Sequence, residues 1–454
     1  MIARKLDQYI TEHFDSSKSS LLLTGARQTG KTYAIRKYAK MSNRNLIELN
    51  FLEDESAKQI FANANNAKDV LLRISAHTGK SISLPNTLIF FDEVQTCPEA
   101  ITWIKFLVDE GSCQYALSGS LLGVELNDIR SVPVGYMNIK EVYPLDLEEF
   151  AKALGLSDEV LSSLKYAFEN KTEVDSVVHN AMLKVLHLYL IVGGMPAAVQ
   201  AYIDTNDLNV VERKQREVLT LYRWDISQYD TNNKLHISEI FDIIPSELDA
   251  KNKRFILKNL NEHARFSRYE DSFLWLKDAG VALPTYNITE PKMPLKLNEQ
   301  RNLFKLFQND VGLLACQFAS GIQMKILSGD ININYGAIYE NFVAQELLAH
   351  GFGGPEHYLY YFNSKKQGEL DFVIEHNGSI VPIEVKSGKD YERHNALKNV
   401  MENDEYSIPN AIVLNNSNLS TKDKITYLPI YMTMFINKQS NPETQIYHLD
   451  LSGL

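Results

Sequence analysis

Gly25-Ala26-Arg27-Gln28-Thr29-Gly30-Lys31-Thr32 decides the fold of the N-terminal third of the chain. It matches GxxxxGK[ST] at every specified position, follows the apolar run Leu21-Leu22-Leu23-Thr24, and opens a helical segment near Lys31. Strand, glycine-bounded loop and helix together aim backbone N–H groups and a helix N-terminus at one point, an arrangement that cradles phosphate. In such a loop Lys31 reaches the β- and γ-phosphates and Thr32 offers its hydroxyl to Mg²⁺, so ATP and Mg²⁺ are the implied ligands. A glycine-bounded turn with a surface lysine is the plain alternative, and the flanking strand and helix weigh against it.

Working outward, Leu88-Ile89-Phe90-Phe91 ends in Asp92-Glu93, about sixty residues after the loop. Two carboxylates closing an apolar strand beside a phosphate loop assign Asp92 to Mg²⁺ and Glu93 to the water that attacks the γ-phosphate. Tyr115-Ala116-Leu117 leads into Ser118-Gly119-Ser120. A parallel sheet sets this edge beside Asp92, where either hydroxyl could sense the γ-phosphate, although an ordinary Ser/Gly turn fits the same residues. With Leu46-Ile47-Glu48-Leu49, these apolar runs separated by helix-length segments predict an α/β domain with a buried parallel sheet over residues 1–150.

The chain has 454 residues, a length that suits about three domains. Lys+Arg 46 against Asp+Glu 57 leaves a net charge of −11, which excludes coating of nucleic acid by bulk charge but not a local basic patch. Cys97, Cys113 and Cys316 form no CxxC pattern, so neither a disulfide framework nor a zinc site is expected. The mixed-charge start Met1-Ile2-Ala3-Arg4-Lys5-Leu6-Asp7-Gln8 is unlike a signal peptide, and no apolar run approaches ~18 residues. The expectation is a soluble cytoplasmic protein with no membrane partner.

Past Pro144 the texture becomes helical. Leu147 to Asn170 and Val177 to Tyr202 carry apolar residues at three- and four-residue spacing, interrupted at Gly193-Gly194-Met195-Pro196, so residues 151–230 suit a helical lid. Ile237 to Leu248, Lys253 to Asn259 and Ser267 to Ala279 are three helix candidates, followed by the strand-like Val281-Ala282-Leu283, and predict a winged-helix-like module over 231–300. Lys251, Lys253, Arg254, Lys258, Arg265 and Arg268 make this stretch locally basic, either a phosphate-backbone contact or a solvated face. Trp103, Trp224 and Trp275 fall in helical apolar patterns and are expected in cores.

Residues 301–454 return to α/β, with a helix from Tyr335 to His350 and strands at 358–362, 370–375 and 380–385. Period two puts Glu384 and Lys386 on one face of a strand, and a turn at His376-Asn377-Gly378 brings Asp371 alongside. Two carboxylates and a lysine so placed match the D…ExK arrangement of metal-dependent nucleases, in which Asp371 and Glu384 bind Mg²⁺, Lys386 orients water and Glu340 completes the site. From spacing alone, a hairpin with a solvated charged face fits as well.

With these motifs in place the chain resembles a widespread prokaryotic family of AAA-type ATPases, P-loop NTPases of the AAA+/STAND-related branch. The matching residues are the phosphate loop, Phe91-Asp92-Glu93-Val94-Gln95, Leu117-Ser118-Gly119-Ser120, Tyr143-Pro144-Leu145-Asp146, Gly193-Gly194-Met195-Pro196, Asp310-Val311-Gly312-Leu313-Leu314, and Tyr339-Glu340-Asn341-Phe342-Val343. The resemblance implies an ATP hydrolase with a PD-(D/E)XK nuclease-like C-terminal domain. It implies further that Gly194 and Pro196 touch the nucleotide from the lid, and that DNA is a candidate partner. Relatives carry Gly-Arg where this chain has Gly135-Tyr136. Arg130, or an arginine from a partner or a second copy, is then the candidate for stabilising transition-state charge, since such an arginine is worth several orders of magnitude in rate.

Overall fold

The computed structural model describes residues 2–82, 86–120, 135–229, 234–250, 253–262, 265–318, 321–328, 336–353, 358–388 and 390–438. The five N-terminal strands are β1 (Ser20–Thr24), β2 (Asn45–Asn50), β3 (Thr87–Asp92), β4 (Gln114–Ser118) and β5 (Met137–Glu141). They form one parallel sheet in the order β2-β3-β4-β1-β5. Every residue of β3 is buried, as a central strand covered on both faces requires. Alternation sends Leu22, Ile89, Phe91 and Leu117 into one apolar layer and Leu21, Leu23, Leu88 and Phe90 into the other. The consequence for function is positional: the C-terminal ends of β1, β3 and β4 lie side by side, and these carry the loop, Asp92-Glu93 and Ser118-Gly119-Ser120.

Helices at Leu147–Ala153, Asp158–Asn170, Ser176–Val192, Pro196–Thr205 and Leu208–Tyr229 follow. The break before Pro196 falls where the glycines predicted it, because Gly193 adopts φ 70° and Pro196 opens the next helix at its first turn. Trp275 is buried, but Trp224 is 61% exposed on its helix, against the expectation of a core residue. Among the described residues no single helix is long and apolar enough to cross a membrane.

The winged-helix expectation meets a different arrangement. Helices Lys234–Asp249 and Phe266–Asp278 form as anticipated, but among the described residues between them the only helical element is the 3₁₀ turn Leu257–Asn259. The hairpin β6 (Ala282–Ile288) and β7 (Glu299–Gln308) does not stand as a wing; β6 pairs in parallel with β8 (Leu359–Ser364). A division at 300 would therefore cut β7, whose Phe304, Leu306 and Phe307 are buried in the same core as the lid and the C-terminal helices.

The C-terminal sheet adds β9 (Gly368–His376), β10 (Ser379–Val385), β11 (Ala411–Asn415), β12 (Ser420–Lys422) and β13 (Ile425–Pro429), in the order β12-β13-β11-β10-β9-β8-β6-β7. The helix Gly336–Leu347 precedes β8, and Asn395–Met401 links β10 to its parallel neighbour β11. The β9–β10 turn is the two residues Asn377 and Gly378, both at positive φ (51° and 72°), the geometry a tight hairpin needs. That turn fixes a register that runs to Ile383 opposite Phe372, the residues next to Glu384 and Asp371.

Candidate functional site

The loop after β1 is shaped by three left-handed positions, Gly25 (φ 113°), Gln28 (φ 66°) and Gly30 (φ 94°). A side chain on Gly25 would strike the carbonyl of Val142, so glycine is required there. The loop borders a cavity of about 620 Å³, within the range of nucleotide and cofactor pockets. Arg27, Gln28, Gly30, Lys31 and Thr32 of the loop line it, together with Glu93, Ser120, Leu145 and Pro196. The first turn of the chain closes the rest with Ile2, Arg4 and Leu6.

Lys31 folds back onto its own loop, its Nζ donating to the carbonyls of Gly25 (2.9 Å) and Ala26 (2.7 Å). Burial pushes its pKa down to about 8, against the pull of Glu93 and Asp92. Thr29 donates to the Ala26 carbonyl at 2.9 Å and is buried, so it braces the loop from within. Thr32 Oγ1 lies 3.1 Å from both oxygens of Asp92. Burial raises the Asp92 carboxyl, while the Ser118 and Thr32 hydroxyls bonded to it act the other way. A cavity-lining hydroxyl backed by a buried carboxylate fits Mg²⁺ bound beside a nucleotide.

Glu93 sits at φ 54°, ψ 46°, a left-handed conformation sparsely populated by non-glycine residues and found at functional sites. Gln95 donates to its carboxylate at 2.6 Å, and the carbonyl oxygen of Gln95 is buried without a partner. The two serines separate by position. Ser118 bonds Asp92, whereas Ser120 lines the cavity within 3.5 Å of Glu93 and 3.4 Å of Arg27. Pro196 lines the cavity; Gly194 does not, and lies so close to Leu145 that a Cβ would collide with that residue's backbone.

Arg27 pairs through Nη1 with Asp225 of the Leu208–Tyr229 helix at 2.9 Å. Burial pushes the Asp225 carboxyl up to about 6, an effect Arg27 opposes. Arg130 lies outside the described residues. Tyr136 bonds Ser20, the first residue of β1, through its backbone carbonyl at 2.9 Å. The loop leaves the other end of that strand, roughly 13 Å away at about 3.3 Å per residue, so side chain 136 does not face the phosphate cradle of its own chain.

The C-terminal residues do converge. Glu340, Asp371, Lys386 and Lys253 line a cavity of about 460 Å³. Asp371 accepts the Val385 N–H at 2.8 Å, and Lys386 Nζ is 2.9 Å from Glu384. Two lysines that spacing did not single out for this cluster enter it. Lys253, from the basic segment, bonds Glu340. Lys305 of β7, 1% exposed, places Nζ 2.7 Å from Glu369, 3.3 Å from Glu340 and 3.9 Å from Asp371. Lys251 lies outside the described residues. Burial, Glu340 and Glu384 push Asp371 well above the ordinary carboxylate range. Burial alone would also raise Glu340, but Lys305 and Lys253 hold it below that range.

This arrangement departs from the Mg²⁺ site expected of Asp371, Glu384 and Glu340. Glu340 and Glu384 each bond lysine, and Asp371 holds a backbone N–H beside Lys305. Among the described residues no group of three or more His, Cys, Asp or Glu side chains could hold a metal ion. Lys305 lies 66 residues before Asp371, a separation that hides it from any motif.

Residues 17–151 match the family model described as an AAA domain. Residues 183–324 and 335–433 match two models described as domains of unknown function. No curated protein matches the chain. Among solved structures, the Walker-type ATPase of Pyrococcus abyssi is similar at 13% identity over 70% of this chain and 96% of that one, with a TM-score of 0.43. The ORC1 protein of Aeropyrum pernix, solved in complex with DNA, aligns at 13% identity over 72% and 91%, with a TM-score of 0.25. A STAND protein with a tetratricopeptide repeat sensor from Pyrococcus horikoshii aligns at 12% over 76% and 48%, with a TM-score of 0.27. Residues 17–151 are a P-loop AAA-type ATPase domain, and the loop, Asp92, Glu93 and Ser120 all lie within it.

Proposed function

We propose that the protein is a Mg²⁺-dependent ATP hydrolase whose turnover drives its C-terminal domain. One arrangement carries this reading: Lys31, Thr32 and Glu93 line one nucleotide-sized cavity, and Thr32 is paired with the buried Asp92. On binding, the Lys31 ammonium exchanges the Gly25 and Ala26 carbonyls for the β- and γ-phosphates. Thr32 and Asp92 would hold Mg²⁺, which when bound neutralises charge between those phosphates. Glu93, steadied by Gln95, orients a water toward the γ-phosphorus and accepts its proton as the bond to ADP breaks. Arg27 lines the cavity with Ser120, which lies within 3.5 Å of Glu93, so Arg27 would be the cis candidate for stabilising transition-state charge. An arginine from a second copy is the alternative, and specific activity rising with protein concentration would favour it.

The test is steady-state phosphate release. Glu93→Gln is expected to bind ATP and lose about 10²–10⁴-fold in turnover, the range for removal of a general base. Lys31→Ala is expected to lose ATP binding. Unchanged phosphate release in Glu93→Gln rejects the assignment.

For the C-terminal domain, the succession of helix Gly336–Leu347, antiparallel β8-β9-β10, helix Asn395–Met401 and parallel β11 supports a PD-(D/E)XK nuclease-like architecture, with DNA as the candidate ligand. The lysines bonded to Glu340 and Glu384 favour a second reading in which ATP occupancy switches this domain between binding states without strand cleavage.

A further inference from the structure

Among the groups that the ATPase chemistry leaves unused, Lys305 is the most deeply buried cation in the C-terminal cluster. It rises from β7, its neighbour in register on β6 being Thr285, and is 1% exposed. Its Nζ lies within 4 Å of three carboxylates, Glu369, Glu340 and Asp371, and 5.1 Å from the ring centre of Tyr361. A buried ammonium is stable only when charge partners surround it, and here they do on several sides.

We propose that Lys305 is the resident cation of this cluster, standing where a nuclease-like site holds a divalent metal, and that the wild-type domain therefore takes up no Mg²⁺ or Mn²⁺ at Asp371. The proposal rests on the nuclease-like reading of the domain and goes beyond it. Two features carry it. The ammonium occupies the space between Glu340 and Asp371 that a bridging metal would need. It is also tethered by its own strand, so it does not dilute away as a free ion does. A divalent ion added beside it would meet a like charge in a low-dielectric pocket, where repulsion is strong. Lys253 engages the second oxygen of Glu340 and Lys386 one oxygen of Glu384, so each of Glu340, Asp371 and Glu384 has a lysine ammonium within 4 Å.

The experiment counts bound Mn²⁺ by electron paramagnetic resonance on the full chain without nucleotide, comparing wild type, Asp371→Asn, Lys305→Met and the double variant. The expected result is equal Mn²⁺ uptake by wild type and Asp371→Asn, with one additional ion in Lys305→Met that disappears in the double variant. Mn²⁺ should also raise the thermal midpoint of Lys305→Met and leave that of wild type unmoved. Wild type holding one ion that Asp371→Asn loses, or cleaving plasmid DNA with Mn²⁺ in a way that Asp371→Asn abolishes, overturns the proposal and leaves the nuclease-like reading standing. A folded Lys305→Met that gains no ion overturns it through the nuclease-like reading itself. Should Lys305→Met not fold, the comparison of wild type with Asp371→Asn still decides.

Discussion

One carboxylate oxygen of Asp310 accepts the backbone N–H of Gly194 at 2.6 Å, and the other accepts the N–H of Leu313 at 3.0 Å. Asp310 follows β7 by two residues, and Gly194 precedes Pro196, which forms one wall of the nucleotide cavity, by two. Leu145, which also lines the cavity, donates its N–H to the Gly194 carbonyl at 2.7 Å. A short bonded path therefore joins the nucleotide cavity to the strand that carries Lys305. Tyr189 and Gln345 run beside it, the Gln345 amide donating to the Tyr189 hydroxyl at 2.6 Å and that hydroxyl to the Leu145 carbonyl.

Removing the Asp310 carboxylate orphans two buried N–H groups, each worth about 1–3 kcal/mol. Asp310→Ala is therefore expected to lower unfolding stability by about 2–6 kcal/mol in denaturant titrations. Because Gly194 positions Pro196, it should also weaken ATP binding without touching the loop. A loss under about 1 kcal/mol with unchanged affinity would show that this joint carries neither stability nor position.

The left-handed backbone of Glu93 predicts a separation of stability from activity. Glu93→Gly and Glu93→Ala should both abolish turnover. The glycine variant should be more stable than the alanine variant by about 1 kcal/mol, since only glycine adopts this conformation freely. Equal thermal midpoints for the two would mean that the residue is not held in that region in solution.

The parallel sheet was legible because its strands are short apolar runs, and Lys31, Thr32, Asp92 and Glu93 because phosphate chemistry imposes their spacing on the sequence. Lys305, Asp225 and Asp310 reach their sites through tertiary packing, at separations that no local period encodes. The winged-helix reading failed for a related reason. A hairpin after helices reads the same whether it stands as a wing or, as β6–β7 does, pairs with a strand more than fifty residues further on. The absence of an arginine at position 136 is conspicuous in the motif, while the end of the strand beside which it lies is not.

Lys31 gives a pH dependence with a definite sign. Its ammonium is depressed to about 8 in the free protein, chiefly by burial. Phosphate oxygens favour the charged form, so the complex holds the proton to higher pH. ATP affinity should be level below pH 8 and fall above it by up to tenfold, about 1.4 kcal/mol, for each pH unit until the pKa of the complex is reached. Calorimetry above pH 8 in buffers of different ionisation enthalpy should register proton uptake on binding; affinity level from pH 7 to 10 would exclude Lys31 as the phosphate ligand.

Arg27 and Asp225 join the loop to the lid, and their pairing should respond to the γ-phosphate. Arg27→Ala is expected to lower kcat by at least tenfold with a smaller change in KM, because the guanidinium acts on charge that develops during transfer. It should also cost stability, since it leaves the Asp225 carboxylate buried without its partner, and Asp225→Asn should restore most of that loss but none of the turnover. A double-mutant cycle on unfolding stability should give a coupling of about 1 kcal/mol for a pair partly open to solvent. Restored turnover in the double variant would make the pair a structural strut and move the search for the charge-stabilising group to a second copy of the chain.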